Sequence, residues 1–208
     1  MTVENNVMVD LETTATSGNA GVIAIGAAFF DPDTGEIGEK FYETISLESV
    51  MDCGKFDVSA RCIKWWMTGD DVTQEARNAA FGGQLHIKKA LKKFADWIQQ
   101  YGNHKEVVLW GNGAAFDNPI LANAYEKFGM GTPWSYRNDC CLRTLVRMGR
   151  RAGINPKKTL ERTGTYHNAL DDAINQIAYM TVIWQHFFKD AGHSSKSTGL
   201  VEDPTSTI

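Results

Sequence analysis

The sequence predicts an α/β protein, with a mixed five-stranded sheet flanked by helices on both faces. Short apolar runs lie near the start of the chain, amphipathic segments follow them, and strand-like and helix-like patterns then alternate. Leading strands followed by alternating helices and strands are typical of a sheet with antiparallel and parallel pairs. The chain has 208 residues, 43% of them hydrophobic, which is long enough to bury the core of one domain.

The first half of the chain contains the leading strands and two helical segments. The predicted strands lie at residues 7–11, 22–31 and 41–45. The turn sequence DPDTGE contains the Pro, Asp and Gly that favour a tight turn, so the second and third strands are expected to form a hairpin. A helical pattern at 58–80, interrupted near Gly69, precedes a clearly amphipathic helix at 86–101.

The second half alternates strands with helices. The predicted elements are strands at 106–110 and, more weakly, 134–138, and helices at 117–128, 139–152 and 168–188. Residues 191–208 are rich in Ser and Thr and lack periodicity, which predicts a disordered tail. Residues 1–190 are therefore predicted to form a single domain.

Composition narrows the classes of function. The net charge of −4 provides no general basic excess, so any binding of nucleic acid must depend on a local site. The start of the chain lacks the pattern of a secretory signal, and the longest apolar run, at 20–30, is shorter than the roughly 20 residues that a membrane span needs. Four cysteines without a CxxC pair argue against a disulfide framework. These features predict a non-secreted, cytoplasmic protein without a membrane partner.

Two acidic side chains end the first predicted strand. Asp10 and Glu12, in the sequence DLET, are two residues apart, so on a strand they project from one face about 7 Å apart along it. Two carboxylates at that spacing suit a hard divalent cation such as Mg²⁺ or Mn²⁺. The alternative is that the strand has ended and both acids are solvated turn residues.

Further candidate side chains lie much later in the chain. Asp117 follows a predicted strand at the start of a helix, where it is either a site residue at the strand end or a helix-capping acid. His167 lies just before the helix that contains Asp172, and a histidine there is either a general base or a packing residue. The neighbouring Asp171 is a rival for Asp172, and helical geometry does not choose between them.

Taken in order, these motifs resemble the DEDDh branch of the 3′–5′ exonucleases, which has a ribonuclease H-like fold. The matching stretches are DLET, NGAAFD and HNALDDA. The family motif has an aspartate five residues after the histidine and just before an alanine, which selects Asp172 over Asp171. WGNGAAFDNPIL, the FFDPDTGE hairpin and the Trp65–Trp66 pair are most similar to phage exonuclease A-like proteins and their exoribonuclease relatives.

The resemblance implies the cofactors and the catalytic residues. Two divalent ions, Mg²⁺ with Mn²⁺ as a substitute, would act in a two-metal mechanism. Their implied ligands are Asp10, Glu12, Asp117 and Asp172, and the implied general base is His167. The expected partner is single-stranded nucleic acid with a free 3′ end, hydrolysed from that end. The oligomeric state stays open.

The phage-like resemblance implies that the substrate is single-stranded DNA. Three alternative functions stand beside this one. Hydrolysis of RNA, by an exoribonuclease or oligoribonuclease, is the nearest. A catalytically inactive nucleic-acid-binding protein is disfavoured because all five site residues are present. A dinucleotide-dependent oxidoreductase is disfavoured because GNGAAF has Phe116 where the third glycine of the fingerprint belongs.

Several residues are predicted to contact the substrate: Leu11, Thr13, Trp65, Trp66, Phe116 and Arg143. The tryptophans are either one packed residue and one base-stacking residue near the cleft, or two core residues at a helix edge. A basic stripe on one predicted helix consists of Arg143, Arg147, Arg150 and Arg151, and Lys157, Lys158 and Arg162 continue it towards His167. This stripe is either a track for phosphates or a solvated helix face.

Overall fold

The computed structural model describes residues 5–189, so the predicted tail at 191–208 lies outside the described residues. The strands are β1 (Asn6–Thr13), β2 (Val22–Phe30), β3 (Ile37–Thr44), β4 (Val108–Gly111) and β5 (Asp139–Cys141). They form one sheet in the order β3-β2-β1-β4-β5. The first three strands pair antiparallel, whereas β4 pairs parallel with β1 and with β5. The predicted mixed five-stranded sheet is confirmed.

The α-helices within residues 5–189 connect and cover these strands. They are α1 (Leu47–Asp52), α2 (Ala60–Thr68), α3 (Gln74–Phe81), α4 (Ile87–Tyr101), α5 (Asp117–Lys127), α6 (Leu142–Arg151), α7 (Pro156–Thr159) and α8 (Ala169–Phe188). The break predicted near Gly69 separates α2 from α3. None of these helices is long and apolar enough to cross a lipid bilayer.

Two apolar clusters cover the two faces of the sheet. Alternate residues of β1, including Val7 and Val9, pack with α4 and α5, while Met8 packs with α6 and α8 on the opposite face. This alternation follows from the two-residue period of a strand. All nine residues of β2 are buried, because helices cover both sides of this inner strand. The prediction of helices on both faces is confirmed.

The weak prediction of a fifth strand at 134–138 was wrong in position. Tyr136–Asn138 forms a 3-10 helix, and the strand follows it at β5. Trp134 is buried and its indole N–H donates a hydrogen bond to the Asp139 carboxylate at 2.9 Å, which fixes the start of β5. The next helix therefore begins at Leu142 rather than at Asp139.

Two short helices had no counterpart in the sequence prediction. α1 has six residues and α7 has four, so neither is long enough to show a helical period of hydrophobic residues. Local chemistry still explains both. The Ser46 hydroxyl accepts a hydrogen bond from the Ser49 N–H at the start of α1, and Pro156 stands in the first turn of α7.

Candidate active site

β1 directs both of its acidic side chains to the sheet face that α8 covers. Asp10 and Glu12 alternate with Val9 and Leu11, which pack on the opposite face, and they share the face of Met8. Glu12 is only 7% exposed. The alternative of two solvated turn acids was therefore wrong, since both residues belong to β1 and Glu12 is buried.

Asp117 reaches the same region from the end of β4. It is 1% exposed, and its Oδ2 accepts a hydrogen bond from the Asn112 backbone N–H at 2.7 Å. The N-cap position of α5 belongs to Phe116, and no side-chain capping bond forms there. The capping interpretation of Asp117 is therefore not supported, although an acid in the first helical turn is still favoured by the helix dipole.

A glycine in β2 lets the start of α8 lie directly on the sheet. Gly26 pairs with Asp10 across the antiparallel ladder. A Cβ atom on Gly26 would come close to the backbone of Ala169 and Leu170, where the contacting atoms leave no space for it. The first turn of α8 is capped by Asn168, whose side chain accepts hydrogen bonds from the N–H groups of Leu170 and Asp171. This close approach brings the first turn of α8 beside β1.

The structure distinguishes the two neighbouring aspartates of α8. The Asp171 Oδ2 accepts a hydrogen bond from the Thr165 N–H at 2.8 Å and stabilises the preceding loop. Asp172 instead faces β1: oxygens of Glu12 and Asp172 and a ring nitrogen of His167 all lie within 4.8 Å of one another. The choice of Asp172 over Asp171 agrees with this geometry.

His167 has an unusual backbone conformation. Its φ of 62° lies in the left-handed region, which is uncommon for residues other than glycine. Its backbone N–H donates to the Asp172 carboxylate at 3.1 Å. The imidazole Nε2 lies 3.3 Å from an Asp71 oxygen, and the ring packs edge-on against Trp65 with 4.9 Å between ring centroids. Asp71 and Trp65 thus hold the imidazole at the cleft, while Asp172 holds the backbone.

The clustered acids have strongly altered proton affinities. Burial raises the pKa of Asp10 well above its ordinary value, and repulsion from Asp117 and Asp172 raises it further. Burial also raises the pKa of Glu12, with Asp10 the next cause, and raises the pKa of Asp117 to about 6. The Gln176 amide opposes this effect at Asp10, to which it donates a hydrogen bond of 2.6 Å. Negative charge here is costly without a counter-ion.

Unpaired oxygens test whether these residues fit a metal ion. Glu12 Oε1, Asp117 Oδ1 and Gln176 Oε1 are buried and have no hydrogen-bond partner within residues 5–189. Buried oxygens without donors are expensive to maintain, and oxygen atoms are the ligands that Mg²⁺ and Mn²⁺ prefer. The donor set therefore fits hard divalent cations.

A cleft of about 490 Å³ opens beside the acids. Its lining includes Leu11, Thr13, Trp65, Trp66 and Phe116, together with Asp10, Glu12, His167 and Asp172. Five of the six predicted substrate contacts therefore line it. The sixth, Arg143, lies in a neighbouring groove, where its guanidinium donates to the Asn112 carbonyl at 2.7 Å.

The two adjacent tryptophans have different roles. Trp66 is 1% exposed and its indole N–H donates to the Thr13 carbonyl at 3.1 Å, so it holds α2 against the end of β1. Trp65 is 37% exposed and lies beside His167. The interpretation of both as core residues was wrong, because neighbouring helical side chains point in directions about 100° apart.

A family model described as the 3′–5′ exoribonuclease Rv2179c-like domain matches residues 5–184. The chain belongs to this family. It is therefore a 3′–5′ exonuclease, as the motifs predicted. No curated protein matches the chain. The predicted closeness to phage exonuclease A-like proteins stays a prediction.

Solved structures share the fold of this exonuclease. The nuclease domain of 3′hExo, a DEDDh family member bound to rAMP, has a TM-score of 0.60 at 16% identity over 87% of this chain and 92% of that chain. The zinc-bound E. coli ExoI–ssDNA complex has a TM-score of 0.60 at 16% identity, over 90% of this chain and 42% of that chain. The Mg²⁺- and Mn²⁺-bound S. pombe Pop2p has a TM-score of 0.57 at 14% identity, over 89% of this chain and 84% of that chain. The predicted ribonuclease H-like fold is confirmed.

Three polar residues of the exonuclease site were missed or misplaced by sequence reasoning. Gln176 contacts Asp10 and lies one helical turn after Asp172, so the i, i+4 spacing on α8 could have indicated it. Arg162, predicted in the basic track, instead pairs with Asp172 at 2.5 Å. Asp71 had no sequence signal, because its contact with His167 spans 96 positions.

Proposed function

We propose that this exonuclease removes nucleotides from the 3′ end of single-stranded RNA with the help of divalent metal ions. The observation that carries the proposal is the convergence of three acids and one histidine, from distant parts of the chain, at one cleft, with a fourth acid buried beside them. Asp10, Glu12, Asp172 and His167 line the cleft, and buried Asp117 lies close enough to Asp10 to raise its pKa. RNA is favoured as substrate because the matching family is described as an exoribonuclease domain.

The acidic side chains would hold the metal ions. In our proposal Asp10, Glu12, Asp117 and Asp172 bind Mg²⁺, with Mn²⁺ as a substitute, and the unpaired buried oxygens of Glu12 and Asp117 support this role. Bound ions would polarise the scissile phosphate and stabilise the attacking and leaving oxygens. Gln176 positions Asp10 through its amide, so the carboxylate is oriented before the ions arrive.

His167 would act as the general base. A ring nitrogen that faces Glu12 and Asp172 accepts the proton of the attacking water, which requires the neutral imidazole. The contact with Asp71 and the packing against Trp65 restrict the rotation of the ring. The protein therefore contributes orientation together with proton transfer.

The cleft beside the acids would accept the terminal nucleotide. Half-exposed Trp65 provides a surface for stacking of a base, an interaction of about 1–3 kcal/mol. Leu11 and Phe116 line the same cleft and would contact the sugar or base next to the scissile phosphate. Thr13 contributes mainly through its backbone, since its hydroxyl donates to the Ala15 carbonyl at 2.7 Å.

Single-stranded DNA is the second candidate substrate. The phage-like resemblance of the sequence favoured it, and one solved structure with this fold is an ExoI–ssDNA complex. Discrimination between RNA and DNA depends on whether the site accepts or binds the 2′-hydroxyl group. A direct comparison of the two polymers decides between these substrates.

The test uses 5′-labelled RNA and DNA of one sequence, incubated with Mg²⁺, Mn²⁺ or chelator. We expect a ladder that shortens from the 3′ end, fastest on RNA, absent in chelator and slowed by a 3′-phosphate. Asp172→Asn should abolish the ladder. The matched control Asp171→Asn should retain it, because the Asp171 side chain accepts from the Thr165 N–H and asparagine keeps an oxygen acceptor there. Equal digestion in chelator, or an active Asp172→Asn variant, would contradict the proposal.

A further inference from the structure

A second groove lies next to the active-site cleft and shares no lining residue with it. It has a volume of about 460 Å³ and lies between α6, α7 and α8. Its polar lining consists of Asn112, Arg143, Arg147, Arg150, Lys157 and Tyr179. Four cationic side chains thus line one concave surface of a chain whose net charge is −4.

The four cations have no acidic partners in the described part of the chain. The salt bridges within residues 5–189 involve Lys92, Lys93, Arg162 and His167, and none involves the groove cations. Exposed basic residues on a helix commonly pair with acids three or four positions away. The positive charge of the groove therefore remains available to an external anion.

The spacing along α6 separates the groove from the rest of the basic stripe. Arg143, Arg147 and Arg150 line the groove. Arg147 also borders a neighbouring, largely apolar depression, whereas Arg151 and Met148 line that depression and not the groove. Arg143 and Arg150 are seven residues apart, which is about 10 Å along a helix axis. This distance exceeds what a single phosphate group can span, so the groove suits a chain of phosphates.

The inner end of the groove joins the active site through the turn after β4. The Arg143 guanidinium donates to the carbonyl of Asn112, and the N–H of the same residue donates to Asp117, each at 2.7 Å. The guanidinium also passes close to Gly113, where a Cβ atom would lie 3.5 Å from it. A phosphate bound by Arg143 would therefore lie next to the acidic cluster.

Tyr179 marks the boundary between the groove and the acids. It is 6% exposed, and its hydroxyl has no hydrogen-bond partner within residues 5–189. Burial raises the pKa of this phenol, and the negative charges of Asp10 and Asp172 raise it further, so the hydroxyl stays a proton donor. The Lys157 ammonium lies 5.7 Å from the ring centroid. An unpaired donor here would be satisfied by a phosphate oxygen.

We propose that this groove binds the phosphates of the strand on the 5′ side of the scissile bond. This inference rests on the proposed function and adds the path of the substrate. The cleft that contains Trp65, Asp10 and Asp172 takes the terminal nucleotide. The groove begins at Arg143, which the Asn112 turn connects to Asp117, and takes the phosphates that follow. The exonuclease would then bind oligonucleotides of several residues more tightly than dinucleotides.

The test measures binding by fluorescence anisotropy in chelator, where hydrolysis is blocked. The probes are 5′-fluorescein-labelled single-stranded RNA and DNA of about 12 nucleotides, a typical length for a single-strand site. For the double variant Arg147→Gln/Arg150→Gln we expect at least ten-fold weaker binding. A plot of the logarithm of the binding constant against the logarithm of the salt concentration should also become less steep, by about 0.7 for each lost phosphate contact. The matched control Arg151→Gln, on the same helix, should keep the wild-type slope.

A second variant tests the boundary residue. Tyr179→Phe should weaken binding about ten-fold, as loss of a hydrogen bond to a charged group does, without lowering the melting temperature. The inference would be overturned if the arginine double variant and Tyr179→Phe both kept the salt dependence and the affinity of the wild type and of Arg151→Gln. Hydrolysis by the wild type, assayed separately with Mg²⁺, tests the proposed function. Loss of hydrolysis with intact groove binding would contradict the proposed function alone. Loss of groove binding with intact hydrolysis would contradict the inference about the groove alone.

Discussion

At the scale of single residues, His167 shows how one side chain depends on its backbone. The left-handed conformation turns the chain just before Asn168 caps α8, and this turn directs the imidazole towards Glu12 and Asp172. Asparagine adopts the left-handed region more readily than other non-glycine residues. The contribution of the imidazole can therefore be separated from that of the turn.

The first residue-scale prediction concerns His167→Ala and His167→Asn. If the imidazole is the general base, both variants should lose kcat by about 10²–10⁴-fold. Steady-state kinetics on single-stranded RNA measure this loss, and thermal unfolding reports the state of the turn. Asparagine preserves the backbone conformation, so substantial recovery of kcat in His167→Asn over His167→Ala would show that the turn matters and the base does not.

At the scale of elements, the position of α8 on the sheet determines the site. Gly26 in β2 has no side chain, so the backbone at the start of α8 approaches the strand that pairs with Asp10. The same helix turn contains Asp172, and the next contains Gln176. A shift of α8 would therefore move two polar groups away from β1 at once.

The element-scale prediction is that Gly26→Ala disrupts this packing. The added methyl group would clash with backbone atoms of Ala169 and Leu170, which cannot rotate away as a side chain can. We expect destabilisation of about 1–3 kcal/mol, measured by chemical denaturation, together with reduced nuclease activity. Gly18→Ala is the control, since no atom lies within 4 Å of its built Cβ. Equal stability and activity of the two variants would contradict this account of α8.

At the scale of the whole molecule, the acidic cluster opposes the stability of the metal-free fold. Folding buries Asp10, Glu12 and Asp117 near one another, and burial raises the pKa of each. The folded state then binds protons that the unfolded chain has already released. Each of these acids therefore lowers stability as the pH rises from its unfolded pKa through its folded pKa.

The whole-molecule prediction uses Asp117→Asn in chelator. The pKa of Asp117 rises from 3.8 to about 6, so wild-type protein should lose about 3 kcal/mol of stability from this residue between about pH 4 and pH 6. Asparagine cannot ionise, so the variant should be more stable than wild type above pH 6 and equal to it near pH 4. Denaturant unfolding across this pH range measures the difference.

Metal binding provides the control for that prediction. Saturating Mg²⁺ should stabilise the wild type more than Asp117→Asn, because ions that bind the folded state neutralise the clustered charge. The variant's advantage above pH 6 should then shrink or reverse. A wild-type protein that becomes more stable between pH 4 and pH 6 in chelator would contradict the physical account of the cluster.

The long elements could be predicted from the sequence, whereas β5 and α7 could not be placed. The continuous apolar run of β2 and the helical period of apolar residues in α4 extend over nine and fifteen residues, and they locate both elements closely. β5 has three residues and α7 has four, so neither provides a period to detect. The position of β5 depends on the hydrogen bond between Trp134 and Asp139, which only the folded chain reveals.

The sequence by itself predicted the chemistry of this exonuclease, because the motifs DLET, NGAAFD and HNALDDA resemble those of the DEDDh exonucleases and so imply the oxygen donors and the imidazole. The family motif also selected Asp172 over Asp171, and the geometry agrees with that choice. Only the tertiary structure decided that Trp65 is exposed at the cleft whereas Trp66 is buried. It also decided the contacts of Asp71 and the shape of the arginine groove. The physical reason is that residue type sets which bonds a group can form, whereas packing between distant segments sets where that group points.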